Sequence, residues 1–176
     1  MKYYIADTHF GDERVMRLAG RPFQSVEHMD AVLVEKWNAR VDEDDQVYVL
    51  GDFAFSDEIA CKILPMLKGE IHLICGNHDI VLSNALHLFK STDAIKQIYD
   101  NGRSTVLCHY PLLSYENSIY GGYQVFGHIH NNPHDVASEL QKYLVRSLHA
   151  GVDVVDFEPK TLDELIAIKN REYVAK

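Results

Sequence analysis

Basic residues are scarce in this sequence. Seventeen lysines and arginines stand against 26 aspartates and glutamates, a formal net charge of −9 at pH 7. Proteins whose main task is to hold a nucleic-acid backbone do so by neutralising phosphates with Lys and Arg, so nucleic acid is not the expected partner. A small phosphate ester remains open, because metal ions supply local positive charge that a residue count omits. Cysteine is scarce too. Cys61, Cys75 and Cys108 are odd in number and irregular in spacing, which gives no disulfide framework and points to a reducing cytoplasm. Cys75 and Cys108 end apolar runs and read as small core residues. No apolar run is long enough to cross a bilayer, and no signal-peptide hydrophobic region opens the chain. Repeats, linkers and low-complexity segments are also missing.

What is present is ordinary for a globular protein. The 176 residues are 47% apolar and 24% charged, enough for one cored domain spanning 1–176. The chemistry gathers where apolar runs stop. Ile71-His72-Leu73-Ile74-Cys75 reads as a buried strand and gives way to Gly76-Asn77-His78-Asp79. Asn77 offers a neutral oxygen, His78 a nitrogen that can carry a proton, and Asp79 a carboxylate able to orient that imidazole. Tyr3-Tyr4-Ile5-Ala6 ends in Asp7-Thr8-His9, where extended chain would place Asp7 and His9 on one face. A strand over 46–50 ends in Gly51-Asp52. The strand 104–108 ends in His109, and Gln124-Val125-Phe126 ends in Gly127-His128-Ile129-His130.

Between these runs, Ser25 caps a helix expected over 25–41, with Val26, Met29, Leu33 and Trp37 as its core face. A second helix is expected over 57–64. Asp100-Asn101-Gly102-Arg103 joins apolar runs 94–99 and 104–108 as a hairpin. A last strand is expected over 152–157, and Thr161 with Glu164 forms a capping box for a helix from Leu162 to about Tyr173. The acidic run Asp42-Glu43-Asp44-Asp45 reads as a solvated loop. Arg21 is a choice between a phosphate contact and a surface arginine fixing a loop. Tyr115, Tyr120 and Tyr123 could stack on a ring or simply pack. His72, His87 and His134 read as structural or exposed.

Five strands thus end in residues of metal-binding type, and layered α/β folds gather their sites at carboxyl ends of strands. In this order the residues resemble the calcineurin-like metallophosphoesterase superfamily, whose pattern runs D-x-H, G-D, G-N-H-[DE], H, G-H-x-H. Further likeness to its small single-domain prokaryotic members lies in Asp7-Thr8-His9-Phe10-Gly11, Arg21-Pro22-Phe23, Lys36-Trp37-Asn38, Gly51-Asp52-Phe53-Ala54 and Gly151-Val152-Asp153.

The resemblance implies a four-layer α/β/β/α sandwich of two mixed β-sheets flanked by helices. It implies two divalent metal ions, drawn from Mn, Fe, Ni, Co or Zn with manganese favoured. Asp7, His9 and His130 would hold one metal and Asn77, His109 and His128 the other, with Asp52 bridging. His78 would serve the leaving group and Asp79 would orient it. The implied activity is hydrolysis of a small phosphate ester by a metal-bridging hydroxide, diesters somewhat ahead of monoesters. The alternatives are a non-catalytic metal-binding interaction platform, or a nuclease on nucleic-acid ends. The arginine-bearing G-D-x-x-D-R-G string of the protein-phosphatase branch is missing, as is the cap domain of nuclease relatives. His149-Ala150 replaces the asparagine usual before Gly151, which leaves open whether His149 touches the site.

Overall fold

Strands covered on both faces need near-continuous apolar sequence, and three of the four in the first sheet have it. In the computed structural model, which describes residues 1–174, β1 (Lys2–Ile5), β2 (Gln46–Val49), β3 (Glu70–Ile74) and β4 (Ser91–Asp93) lie in that order. All are parallel. Side-chain alternation divides this sheet between two cores. Tyr3, Ile5, Val47, Val49, Ile71 and Leu73 face outward under the helices α1 (Glu13–Leu18), α2 (Val26–Arg40) and α3 (Asp57–Ile63). Tyr4, Tyr48, Leu50 and Ile74 face inward, against the second sheet.

The second sheet runs β5 (Ile95–Asp100), β6 (Arg103–Cys108), β7 (Tyr123–Phe126) and β8 (Ser147–His149). Here β5 and β6 are antiparallel and the other pairs parallel. Asn101 and Gly102, at φ 48° and 78°, make the left-handed two-residue turn that suits a twisted hairpin. The helix α4 (Val136–Gln141) follows β7, and α5 (Leu162–Val174) closes the fourth layer. Leu162 and Leu165 from α5 join the inter-sheet core with Leu107, Val125 and Leu148. The four-layer sandwich is therefore present. Its mixed character lies in the second sheet, since the first has only an antiparallel bridge between Tyr4 and Lys160.

The caps are as the sequence implies. The Ser25 hydroxyl accepts from the His28 N–H at 3.2 Å, and the Glu164 carboxylate accepts from the Thr161 N–H at 2.8 Å. Met29, Leu33 and Trp37 are the buried face of α2. Three expectations fail. Residues 152–157 form turns rather than a strand, and the strand is β8, a few residues earlier. A strand would put residues 153 and 155 on one face, whereas Val155 enters the inter-sheet core and Asp153 is drawn to Arg21. Asp45 is buried, accepting the Asp42 N–H at 2.9 Å and pairing with the N-terminal ammonium. The acidic run is therefore a solvated loop only at Asp42, Glu43 and Asp44. Cys75 is half-buried rather than core, while Cys108 is buried, and all three cysteines are unpaired.

Because the first sheet and β6–β8 are parallel, their carboxyl ends collect at one edge. There the sheets are joined: the Ala6 N–H donates to the Ala150 carbonyl at 2.8 Å and the Ala150 N–H to Phe126 at 2.9 Å. No described helix is long and apolar enough to cross a membrane.

Candidate metal centre

The segments leaving β1, β2 and β7 adopt backbone that few side chains accept. Asp7, His9, Asp52, His128 and His130 all have φ between 48° and 75°. Such strain persists only where surrounding contacts hold it, and it concentrates at functional sites. The contacts here are backbone bonds between neighbouring strand ends. The Asp7 N–H donates to Gly51 at 3.0 Å, and the His9 N–H to Asp52 at 2.9 Å. Close approach demands glycine at Gly76, where a Cβ would lie 2.3 Å from Asp52 Oδ1 and 2.9 Å from the His109 ring.

These turns bring the expected residues into two groups. Asp7, His9 and His130 form one and Asp52, His109 and His128 the other, each with ligand atoms within 4.8 Å of one another. Asp52 Oδ2 stands between the groups, 3.6 Å from His9 Nε2 and 3.5 Å from His109 Nε2. Asn77 Oδ1 is 3.0 Å from His109 Nε2, so all seven residues converge.

The protonation pattern fits cations. His109 Nδ1 lies 2.8 Å from the Leu50 carbonyl, an acceptor only, so that nitrogen carries a proton and Nε2 is the one turned toward the site. His109 Nε2 faces Asn77 Oδ1 at 3.0 Å and His128 Nδ1 at 3.2 Å. In the other group His9 Nε2 is buried with no hydrogen-bond partner among the described residues. Burial raises the Asp7 carboxyl to about 6 against the lowering pull of His130 and His109. Burial also lowers the His9 imidazole to about 3. Converging N and O atoms, an orphaned imidazole nitrogen and a desolvated carboxylate are all relieved by a divalent cation, and mixed N and O donors suit transition metals.

Behind the groups lies a supporting layer that sequence reasoning missed. The Arg21 side chain is buried rather than on the surface, and it fixes the loop that follows β1. Its Nη2 donates to the Asp7 carbonyl at 2.7 Å, its Nη1 to Thr8 at 3.0 Å, and its Nε to Asp153 Oδ1 at 2.7 Å. Asp153 Oδ2 accepts from His130 Nδ1 at 2.7 Å. Burial pulls His130 down and pushes Asp153 up. Their mutual bond, with help from Asp7 and Arg21, outweighs this, leaving His130 raised and Asp153 lowered. The signal lies in Arg21-Pro22 and Gly151-Val152-Asp153, but a strand expected over 152–157 gave Asp153 no role.

Asp79 also departs from expectation. Its carboxylate accepts the N–H groups of Asp52, Phe53 and Gly76 at 2.8, 2.9 and 2.7 Å. Among the described residues it makes no hydrogen bond to the His78 imidazole, because three buried backbone donors take up its oxygens. His78 is exposed, its N–H bound to Asp52 Oδ1 at 2.8 Å and its ring 5.2 Å from that of His9. It lines an open cleft of about 550 Å³ with Arg14, Val15, Leu18, Asn131 and Pro133. His149 stacks on Phe126 at 4.9 Å, behind Gly151, and is a neighbour of the first group rather than a member. Tyr110, unremarked in the sequence, stands 4.9 Å from His109 and 4.7 Å from His128 by ring centroids. Tyr120 projects into solvent and Tyr123 packs on the inter-sheet core. Tyr115 donates to the Arg146 and Gly122 carbonyls at 3.3 and 3.4 Å. His72 is buried against Tyr48, and His87 and His134 are exposed.

No protein-family model matches the sequence. The uncharacterized protein MJ1445 of Methanocaldococcus jannaschii is 32% identical over 177 residues, covering 99% of this chain and 94% of its own. The chain belongs to that protein's family. The Gene 66 protein of Mycobacterium phage L5 is 31% identical over 90 residues, covering 44% of this chain and 39% of the phage protein. Among solved structures, the Aquifex aeolicus protein of unknown function AQ665 shares the fold, with TM-score 0.75 and 22% identity over 96% of this chain and 98% of that one.

Proposed function

We propose that this chain is a phosphoric ester hydrolase of the calcineurin-like metallophosphoesterase superfamily, dependent on two divalent cations with manganese favoured. The observation that carries the reading is Asp52 Oδ2, placed 3.6 Å and 3.5 Å from a histidine nitrogen of each group. Only a carboxylate among these side chains has two anionic oxygens to share between neighbouring cations. Asp7, His9 and His130 would hold one ion, Asn77, His109 and His128 the other. When bound, such a pair acts as a Lewis acid toward water and the phosphoryl oxygens.

The chain's own residues do the rest. Asp79 fixes the backbone of Asp52, Phe53 and Gly76, and so the position of the shared carboxylate. His78, open to the cleft and held through its N–H, would give a proton to the departing oxygen. The cleft offers Arg14 beside Val15, Leu18 and Pro133, and Arg14 is already paired with Asp12 at 3.0 Å. That lining suits a small ester over a nucleic-acid strand. It also favours a singly charged diester over a monoester dianion in a chain of net charge −9. Three free thiols fit a reducing cytoplasm.

The test uses metal-stripped protein reloaded with Mn²⁺, assayed on bis-p-nitrophenyl phosphate and p-nitrophenyl phosphate. Metal-dependent release, faster from the diester and lost in His78→Ala, is expected. Two bound Mn²⁺ ions with no release from either compound would overturn the hydrolase reading.

A further inference from the structure

The two ligand groups are supported differently, and the difference is lopsided. His109 is oriented by a main-chain carbonyl, with Nδ1 2.8 Å from Leu50 O. His130 is oriented by a side chain, Asp153, at 2.7 Å. Asp153 is itself fixed by Arg21, whose Nε and Nη2 reach its two oxygens at 2.7 and 3.2 Å. The pair is sealed, with Arg21 fully buried and Asp153 1% exposed. The same guanidinium donates to the carbonyls of Asp7 and Thr8 at 2.7 and 3.0 Å. One buried arginine therefore touches the chain at Asp7 and, through Asp153, governs His130.

We propose that Arg21 and Asp153 are positioning residues for one of the two cations only, the one taken by Asp7, His9 and His130. The inference rests on the reading that the two groups hold metal ions. Its physical basis is the tautomer. Asp153 can only accept, so it keeps the His130 proton on Nδ1 and leaves Nε2 as the lone pair for the ion. Arg21 reinforces this by donating to both carboxylate oxygens, most closely from Nε to Oδ1 on the side away from His130. In an Asp153→Asn variant, Arg21 would claim the amide oxygen and turn the amide N–H₂ toward His130. The imidazole would then have to accept at Nδ1 and carry its proton on Nε2, which removes it as a ligand. The Asp52, Asn77, His109 and His128 group takes no bond from either residue.

The test is Mn²⁺ titration by calorimetry of metal-free wild type, Asp153→Asn and Arg21→Lys, with ¹⁵N NMR of the histidine tautomers in the metal-free proteins. Wild type is expected to bind two ions. Asp153→Asn should bind one with unchanged affinity and the other 10–100-fold more weakly, with the His130 proton moved from Nδ1 to Nε2. Arg21→Lys keeps the charge but cannot reach Asp153 and both carbonyls together, so it should weaken the same ion without moving the proton. It is the second readout should the asparagine variant fold poorly. Two unchanged affinities in the folded variants would overturn the inference, as would an unmoved proton in Asp153→Asn. A wild type that binds no Mn²⁺ would instead overturn the metal reading, while the tautomer measurement would still judge the Arg21–Asp153–His130 arrangement.

Discussion

At the scale of single residues, chemistry and scaffolding divide between neighbours. His78 and Asp79 are adjacent, yet one faces the cleft and the other holds three buried N–H groups. Two substitutions should therefore behave oppositely. His78→Ala should keep both cations and the wild-type unfolding midpoint while kcat falls by roughly 10²–10⁴-fold. Metal loss in that variant would refute its role. Asp79→Ala leaves buried donors unsatisfied, at about 1–3 kcal/mol for such a group, and should lower stability to urea by about 3 kcal/mol or more. A stable Asp79→Ala protein with only slowed turnover would restore Asp79 as the partner of His78. Asp52→Asn should lose both metal and activity, seen as fewer Mn²⁺ ions per chain by elemental analysis. The seven converging residues were legible because each follows an apolar run at a strand end. Asp79 was misjudged because chain adjacency says nothing about direction: past Gly76 the chain turns, and the carboxylate points back under the β2 loop.

At the scale of elements, β8 and the turn behind it control what surrounds the first ligand group. His149 ends β8 with its Nε2 buried and unpartnered among the described residues, and burial lowers its pKa to about 3 from an ordinary 6.5. The unfolded chain therefore binds the extra proton between about pH 6.5 and 3. His149 supports the fold above that window, and the support is lost as pH falls through it, by up to roughly 1.4 kcal/mol per pH unit. Asp7, raised to about 6 by burial, acts in the opposite sense: its contribution declines as pH rises from about 4 to 6. His149→Phe, which keeps the stack on Phe126, isolates the first effect. Relative to metal-free wild type, the variant should become progressively more stable as urea melts move from pH 6.5 toward 4. An unchanged difference across that range would show that His149 is solvated. From sequence, α2, α5 and the hairpin were legible because capping residues and a two-residue turn are local chemistry. The short helices α1 and α4 and the strand β4 were not, since six or fewer residues carry too little periodicity. Arg21 was ambiguous because its burial depends on Asp153, far along the chain.

At the scale of the molecule, each ligand group draws on both sheets. Asp7 and His9 leave the first sheet and meet His130 from the second. Asp52 and Asn77 meet His109 and His128 in the same way. Cation binding at these groups would thus be linked to the packing of one sheet on the other. Saturating Mn²⁺ should raise stability by about 2.7 kcal/mol at a hundredfold excess over Kd for each site, seen as a concentration-dependent rise in Tm reversed by EDTA. Hydrogen exchange should slow most in β1, β2, β3, β6 and β7, whose ends lead into the seven converging residues. A uniform shift or none at all would mean that the sheets pack without help.

The ligands that each group unites lie far apart in the chain, Asp7 from His130 and Asp52 from His128. In the statistics of flexible chains, an ion joining Asp7 to His130 closes a loop of the size for which a covalent cross-link takes away roughly 4–5 kcal/mol of unfolded-state entropy. A chain whose three thiols stay free would then carry its cross-links as exchangeable ions, resistant to reductants and vulnerable to chelators.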